Sequence, residues 1–216
     1  MTAEPNHRQQ KLLSELTQRS TPHAGLYAFV LRELGSEAIE ETRSARISVI
    51  CHCARELMLG ALDILVDTPE PRPNPSSGSL TKSLTSVLAA NGSPDLRVDQ
   101  DLIPLPKAVA TAIADLVDAS TREIGRNRRN AAALVTGNAE DSHSSVAEWS
   151  NTYSFFVKWA HVDQHHSGAL PDDRLLASHL QVVEDVIEVR MSQFFDNLSA
   201  VEDLLAAANR TDDESS

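Results

Sequence analysis

The sequence predicts an all-α protein, a helical bundle with two or three long helices and Pro-rich loops. Apolar residues recur at helical spacing along most of the chain, and no segment shows the alternation of a half-buried strand. Aromatic residues make up only 4% of the 216 residues, so Leu, Val, Ala and Ile must supply the core. This length suits one domain, and we expect a single helical-bundle domain over residues 1–210 with a disordered polar tail at 211–216.

The N-terminal part of the chain predicts two short helices and one long helix. Amphipathic patterns cover residues 5–19 and 22–34. Ser36 is a candidate N-cap for a long helix that runs to about Asp67. The prolines between residues 69 and 78 cannot continue that helix, so an exposed loop should follow it.

The C-terminal part predicts one short helix followed by longer ones. They cover about residues 80–90, 107–135, 144–166 and 171–208. A second irregular stretch separates the first two, and Gly125 could interrupt the second helix. Pro171 suits the first turn of the last helix, where Asp172 and Asp173 favour the positive end of the helix dipole.

Charge and composition exclude several classes of protein. The net charge of −12 argues against a general binder of nucleic acid or anionic membranes. A run of about 18 apolar residues is missing, so we expect no transmembrane helix and no membrane partner. The N-terminus lacks the basic-then-apolar order of a secretory signal, which favours a cytoplasmic protein. The sequence holds no Gly-rich phosphate loop or nucleophile turn, and we expect no cofactor.

The two cysteines, Cys51 and Cys53, do not predict a disulfide or a zinc site. Two residues apart on a helix, they point to different faces and cannot bridge each other easily. Their C-x-C spacing also differs from the C-x-x-C pairs of zinc and redox sites. We interpret both as small buried hydrophobic residues.

The segment from Arg46 to Leu65 is the most informative part of the chain. Seven apolar residues share one side of its helix: Ile47, Ile50, Ala54, Leu57, Met58, Ala61 and Leu65. The opposite side mixes polar and apolar residues: Val49, His52, Glu56, Leu59 and Asp63. A helix that is apolar nearly all round is usually central in a bundle, so we expect His52 to be at least partly buried, with Arg55 and Glu56 nearby.

His161 and His165 suggest a metal site. Their i, i+4 spacing can present two imidazoles to one metal ion, with a third ligand from His52, Glu56 or Asp63 on another helix. The alternative is that the histidines decorate a helix end, where the dipole favours imidazolium.

A second motif suggests a nuclease. HEPN-type ribonucleases are helical bundles that dimerise and use an Arg-x(4–6)-His motif, and Arg46-x5-His52 fits that expression. The 15 arginines and 8 histidines of the chain would give about one or two such pairs by chance. The basic run Arg122, Arg126, Arg128 and Arg129 could touch a phosphate backbone or an acidic partner, although a solvated helix end explains it as well.

Three short motifs resemble an uncharacterised bacterial all-helical domain family. They are His52-Cys-Ala-Arg55-Glu56, Phe155-Phe-Val-Lys-Trp-Ala-His161, and Phe194-Phe-Asp-Asn-Leu198 continuing to Asn209. The resemblance covers about residues 44–66 and 149–209. It implies a HEPN-like helical domain of the type found near anti-phage and mobile-element genes, and it assigns no catalytic residue.

These observations leave three hypotheses for the function. The first is a helical interaction or accessory module, homodimeric or bound to another protein, with a link to bacterial defence. The second is a HEPN-like, metal-independent ribonuclease that binds RNA and uses His52, Arg55 and His161. The third is a metal-dependent helical enzyme that uses His161 and His165. Convergence of five candidate residues in one cleft would favour an enzyme: His52, Arg55, Glu56, Lys158 and His161.

Overall fold

The computed structural model describes residues 4–138, 140, 142–161 and 169–213, with side chains left out at 198–200 and 202–213. This part of the chain contains helices and no strand, which confirms the all-α prediction. The helices are α1 (His7–Arg19), α2 (Thr21–Gly35), α3 (Arg43–Leu65), α4 (Ser77–Ala90), α5 (Lys107–Thr136), α6 (Ser144–Trp159) and α7 (Asp173–Asp213), with a 3-10 turn at Glu40–Thr42. No helix among the described residues is both long enough and apolar enough to cross a bilayer.

The chain divides into two compact units. Unit 1 comprises residues 1–69 and 131–216, and unit 2 comprises residues 70–130. Helix α5 belongs to unit 2 up to Asn130 and to unit 1 from Ala131. Compactness does not show whether a unit folds independently, so the single domain over residues 1–210 stays a prediction. The disordered tail at 211–216 also stays a prediction.

Helix α3 is central in unit 1. It contacts α2, α6 and α7, and its predicted inner face is buried: Ile47, Ile50, Ala54, Leu57, Met58, Ala61 and Leu65 are each at most 7% exposed. Cys51 is a free, fully buried thiol, as predicted, whereas Cys53 is only half-buried. The apolar period of the sequence therefore predicts the packed side of this helix correctly.

A buried carboxylate links α1 and α2 to α7 within unit 1. Glu184 is 5% exposed and accepts hydrogen bonds from the Tyr27 hydroxyl at 2.7 Å and from Gln9 Nε2 at 3.0 Å. Burial and the neighbouring Glu184 raise the pKa of Tyr27, so its hydroxyl stays protonated and donates. These bonds supply the partners that a buried carboxylate needs.

Three predicted helix boundaries are wrong: the start of α3, the end of α6, and the end of α7, which lies at Asp213 rather than near residue 208. Ser36 is the residue after α2 rather than an N-cap, and Arg46 of α3 binds the carbonyl oxygens of Glu33 and Ser36. Helix α6 ends at Trp159 rather than near residue 166, and the Ala160 carbonyl accepts a hydrogen bond from Ser48 at 2.7 Å.

Unit 2 consists of α4, the first part of α5 and the segments around them. Glu123 on α5 accepts from the backbone N–H and the hydroxyl of Ser77 at 2.8 and 2.5 Å, at the start of α4. The carboxylate of Glu70 binds Arg129 through two bonds of 2.7 Å, and its carbonyl accepts from Arg126 at 2.6 Å. At least two arginines of the basic run therefore serve to hold the segment before α4 against α5.

Candidate functional site

His52 lies on the outer side of α3 and is exposed to solvent, so the prediction of a buried His52 is wrong. Helices α2, α6 and α7 cover most of α3 but leave one side open. An apolar helix can therefore keep a solvated strip when three neighbours already bury the rest of its surface.

Arg55 and Glu56 lie beside His52 and form one polar cluster with it. Arg55 Nη2 is 2.5 Å from Glu56 Oε1 and 3.5 Å from His52 Nδ1. The side chains of Arg55 and Glu56 are 21% and 38% exposed. Spacing along one helix brings these groups together, so the predicted proximity of His52, Arg55 and Glu56 is found in the structure.

Lys158 and His161 lie at the end of α6 and are exposed. The Lys158 ammonium is 5.0 Å from the ring centre of Trp159, and His161 is the second residue after the end of α6. Within the described residues, no hydrogen bond or ion pair joins these two side chains to the polar cluster on α3. The structure thus groups three of the five candidate residues by direct bonds.

Of the two predicted metal ligands, the structure describes His161 alone. His161 lies beyond the end of α6, and His165 lies outside the described residues. Groups of three or more metal-ligating side chains are absent from the part of the chain that the structure describes.

Arg46 holds the fold together instead of pairing with His52. Its side chain is 8% exposed and binds the two carboxylate oxygens of Asp173 at 2.6 and 3.2 Å. The same guanidinium also donates to the carbonyl oxygens of Glu33 and Ser36. These four acceptors use most of its five N–H donors, so the Arg46-x5-His52 match does not form a catalytic pair.

The open side of α3 carries a line of residues that we call the α3 strip. It consists of Ala45, Val49, His52, Glu56, Leu59 and Asp63, spaced alternately by three and four residues. Val49 and Leu59 are 45% and 43% exposed, and Glu56 is half-buried. Spacing of this kind is that of the contact seam of a helix pair. The alternating spacing of three and four residues is present in the sequence, but the strip mixes polar and apolar residues, so the apolar period did not reveal it.

A shallow depression continues the α3 strip at its N-terminal end. Its apolar lining comes from Phe29, Ile39, Ala45 and Val49, and Ile39 is 61% exposed. Polar residues complete the lining: Glu33, Ser36, Glu37, Thr42 and Arg46. Together with Leu59, these side chains place apolar surface along the open side of α3, which is the kind of patch that marks an interaction site.

Another polar position that sequence reasoning missed is His179 on α7. Its ring stacks on Phe155 with centres 3.8 Å apart, and its Nδ1 is 3.2 Å from the Thr152 hydroxyl. Burial lowers the pKa of His179, so the neutral ring is favoured. Tertiary packing alone brings these groups together, because 24 or more residues separate them in sequence.

Comparisons of the chain with protein-family models, with curated proteins and with solved structures give no match. The HEPN-like assignment therefore stays a prediction from the three motifs quoted above.

Proposed function

We propose that the protein is a helical interaction module that self-associates through the α3 strip. The observation that carries this proposal is the exposure of Val49 and Leu59 on a helix whose other sides are buried. Covering such side chains with a second apolar surface removes them from water, at about 25 cal/mol for each Å² buried. The proposal includes the defence-related context and cytoplasmic location that the sequence suggests.

The polar groups of the strip fit an interface better than a catalytic centre. Arg55 is bonded to Glu56, and Arg46 is bonded to Asp173, so the two arginines of the nuclease hypothesis are both neutralised by carboxylates. A polar cluster whose charges are already paired costs less to cover than isolated charges. A net charge of −12 also disfavours RNA as the partner.

Self-association is tested by matched substitutions on two exposed valines of unit 1. Val49 lies in the strip, and Val189 lies on α7; they are 45% and 53% exposed. We expect the wild-type protein to sediment as a dimer, Val49→Glu to sediment as a monomer, and Val189→Glu to remain dimeric. A wild-type protein that stays monomeric at all accessible concentrations would overturn the proposal, and so would loss of the dimer in the Val189 variant alone.

A metal-independent ribonuclease of the HEPN-like type is the second candidate. The observation that favours it is the exposure of His52 with the Arg55 guanidinium 3.5 Å from its ring. An imidazole can act as a general acid or base, and a guanidinium beside it can bind a phosphate. Cleavage of RNA in the presence of EDTA tests this candidate directly.

A further inference from the structure

We infer that two copies of the chain pair along the α3 strip in antiparallel directions around a two-fold axis, with His52 of each copy facing Glu56 of the partner subunit. The inference rests on the proposed self-association and specifies its register. The α3 strip spans 19 residues, from Ala45 to Asp63, and the Cα atoms of its two end residues are about 27 Å apart along the helix axis.

A two-fold axis beside Ala54 makes the strip complementary to itself. In an antiparallel pair, residues equally far before and after the axis face each other. Val49 then faces Leu59 of the partner subunit, and His52 faces Glu56 of the partner subunit. Each contact occurs twice, so at the four central positions of the strip apolar side chains meet apolar side chains and each imidazole meets a carboxylate. At the two ends of the strip, Ala45 faces Asp63 of the partner subunit.

Other arrangements of the same strip place unlike surfaces together. A parallel pair in register sets His52, Glu56 and Asp63 against their own copies, which brings like charges together along the seam. Shifting the antiparallel pair by one heptad sets Glu56 against Leu59 of the partner subunit, or Val49 against His52 of the partner subunit. A carboxylate opposite an apolar group loses hydration without a partner. In the register centred on Ala54 the carboxylate that faces an apolar residue, Asp63, lies at the end of the strip rather than at its centre, so charge and polarity favour this register.

The charge balance at the axis also fits this register. Each Glu56 carries its own Arg55 at 2.5 Å, so the covered carboxylates keep a cation in the same subunit. His52 of the partner subunit adds a second donor to each carboxylate. The interface thus avoids an unpaired buried charge.

Cys53 provides a native probe of the register. It is half-buried beside the strip and one residue from the axis, so the two copies of Cys53 lie on the same side of an antiparallel pair. In a parallel pair they would lie on opposite sides. Helix axes in such pairs are about 8–10 Å apart, so a short thiol-specific bismaleimide suits this test better than direct oxidation.

The first experiment treats the wild-type dimer with a short bismaleimide above neutral pH, because burial raises the pKa of the Cys53 thiol. We expect a covalent dimer on a denaturing gel, and none from Cys53→Ser. Cys51 remains as an internal control, since burial raises its pKa to about 12.

The second experiment exchanges the facing charges. His52→Glu should weaken dimerisation at least about tenfold, because it sets two carboxylates against each other on both sides of the axis. The double variant His52→Glu/Glu56→Lys restores opposite charges and should recover the affinity to within about threefold. Urea denaturation of each variant as a dilute monomer checks that the fold is unchanged.

The outcomes separate the register from the proposed function. A protein that dimerises, and loses the dimer on Val49→Glu, but shows no Cys53 cross-link or no charge-exchange rescue, has a different register and keeps the proposed function. A wild-type protein that never dimerises overturns both.

Discussion

Arg46, in the first turn of α3, binds Asp173, in the first turn of α7, through two hydrogen bonds of 2.6 and 3.2 Å. The same guanidinium donates to the carbonyl oxygen of Glu33, in the last turn of α2, and to that of Ser36, the residue after α2. One buried side chain thereby joins three helices at one end of unit 1. The arginine of the nuclease-like motif is thus a structural element.

Replacing Arg46 should weaken the fold. We expect Arg46→Ala to lower the free energy of unfolding by about 1–3 kcal/mol, because the carbonyl oxygens that it binds lose their donors while half-exposed Asp173 regains water. Arg46→Lys should recover only part of this loss, since an ammonium cannot bind in the same forked manner. Urea denaturation measures both. Arg43→Ala is the control, because the ion pair of Arg43 with Glu40 is long, at 3.8 Å. An unchanged urea midpoint for Arg46→Ala would contradict the assigned role.

The contact between Gly60 and His23 predicts that Gly60→Ala changes the free energy of unfolding in opposite directions in the wild-type protein and in a His23→Ala variant. A Cβ atom on Gly60 would come within 1.7 Å of His23 Nε2, and the ring is held by a 2.7 Å hydrogen bond to Ser20. We expect Gly60→Ala to destabilise the wild-type protein by about 1–3 kcal/mol through this clash. In a His23→Ala background, the same substitution should stabilise by about 0.5–1 kcal/mol, because alanine favours a helix interior over glycine.

Thermal or urea denaturation of the four proteins in this cycle checks the prediction. The same sign in both backgrounds would show that the His23 ring does not limit the space at Gly60.

Tyr27 should stabilise the fold through its bond to Glu184. We expect Tyr27→Phe to lower the free energy of unfolding by about 1–3 kcal/mol, because a buried carboxylate loses a donor at 2.7 Å. The cost should be smaller in a Glu184→Gln background, where the acceptor carries no charge. Tyr153→Phe, at a half-buried tyrosine of α6, is the matched control. Equal losses for the two phenylalanine variants would contradict the role of the Glu184 bond.

The sequence predicts the inner face of α3 and misjudges its outer face for one physical reason. Burial of Ile47 and Leu57 follows from the apolar period, which is a local property. Exposure of His52 depends on how many helices surround α3, and that number is a tertiary property. At two of the misplaced boundaries, near Ser36 and Trp159, side chains of α3 bind carbonyl oxygens of another segment, and these contacts are tertiary as well.

In the candidate site, too, some positions follow from local helical spacing and others depend on tertiary contacts. The cluster of His52, Arg55 and Glu56 was predictable because helical spacing alone brings the three together. The positions of Lys158 and His161 relative to that cluster depend on where α6 ends. Local patterns do not determine that end, since Ser48 of α3 binds the Ala160 carbonyl.

His179 should make the stability of the protein depend on pH. Burial lowers its pKa below the ordinary value of 6.5, so folding favours the neutral ring. The contribution of neutral His179 to the free energy of unfolding is therefore complete above about pH 6.5, and it is lost as the pH falls through the lowered pKa. We expect the difference in unfolding free energy between wild type and His179→Gln to narrow from pH 7 to pH 5. Glutamine keeps a group that can bond Thr152 but does not titrate, so a constant difference would contradict the prediction.

The last prediction concerns RNA cleavage, which separates the two proposed functions. We expect the purified protein to leave a labelled single-stranded RNA intact in EDTA. Arg46 is held by Asp173 and Arg55 by Glu56, so the cations of the motif are already neutralised before a phosphate arrives. The net charge of −12 also repels the nucleic acid. Cleavage that disappears in His52→Ala or His161→Ala, with the fold intact, but persists in His7→Ala, another exposed histidine, would establish the ribonuclease instead. Cleavage that survives both of the first two substitutions would point to a contaminant or to a site elsewhere on the chain.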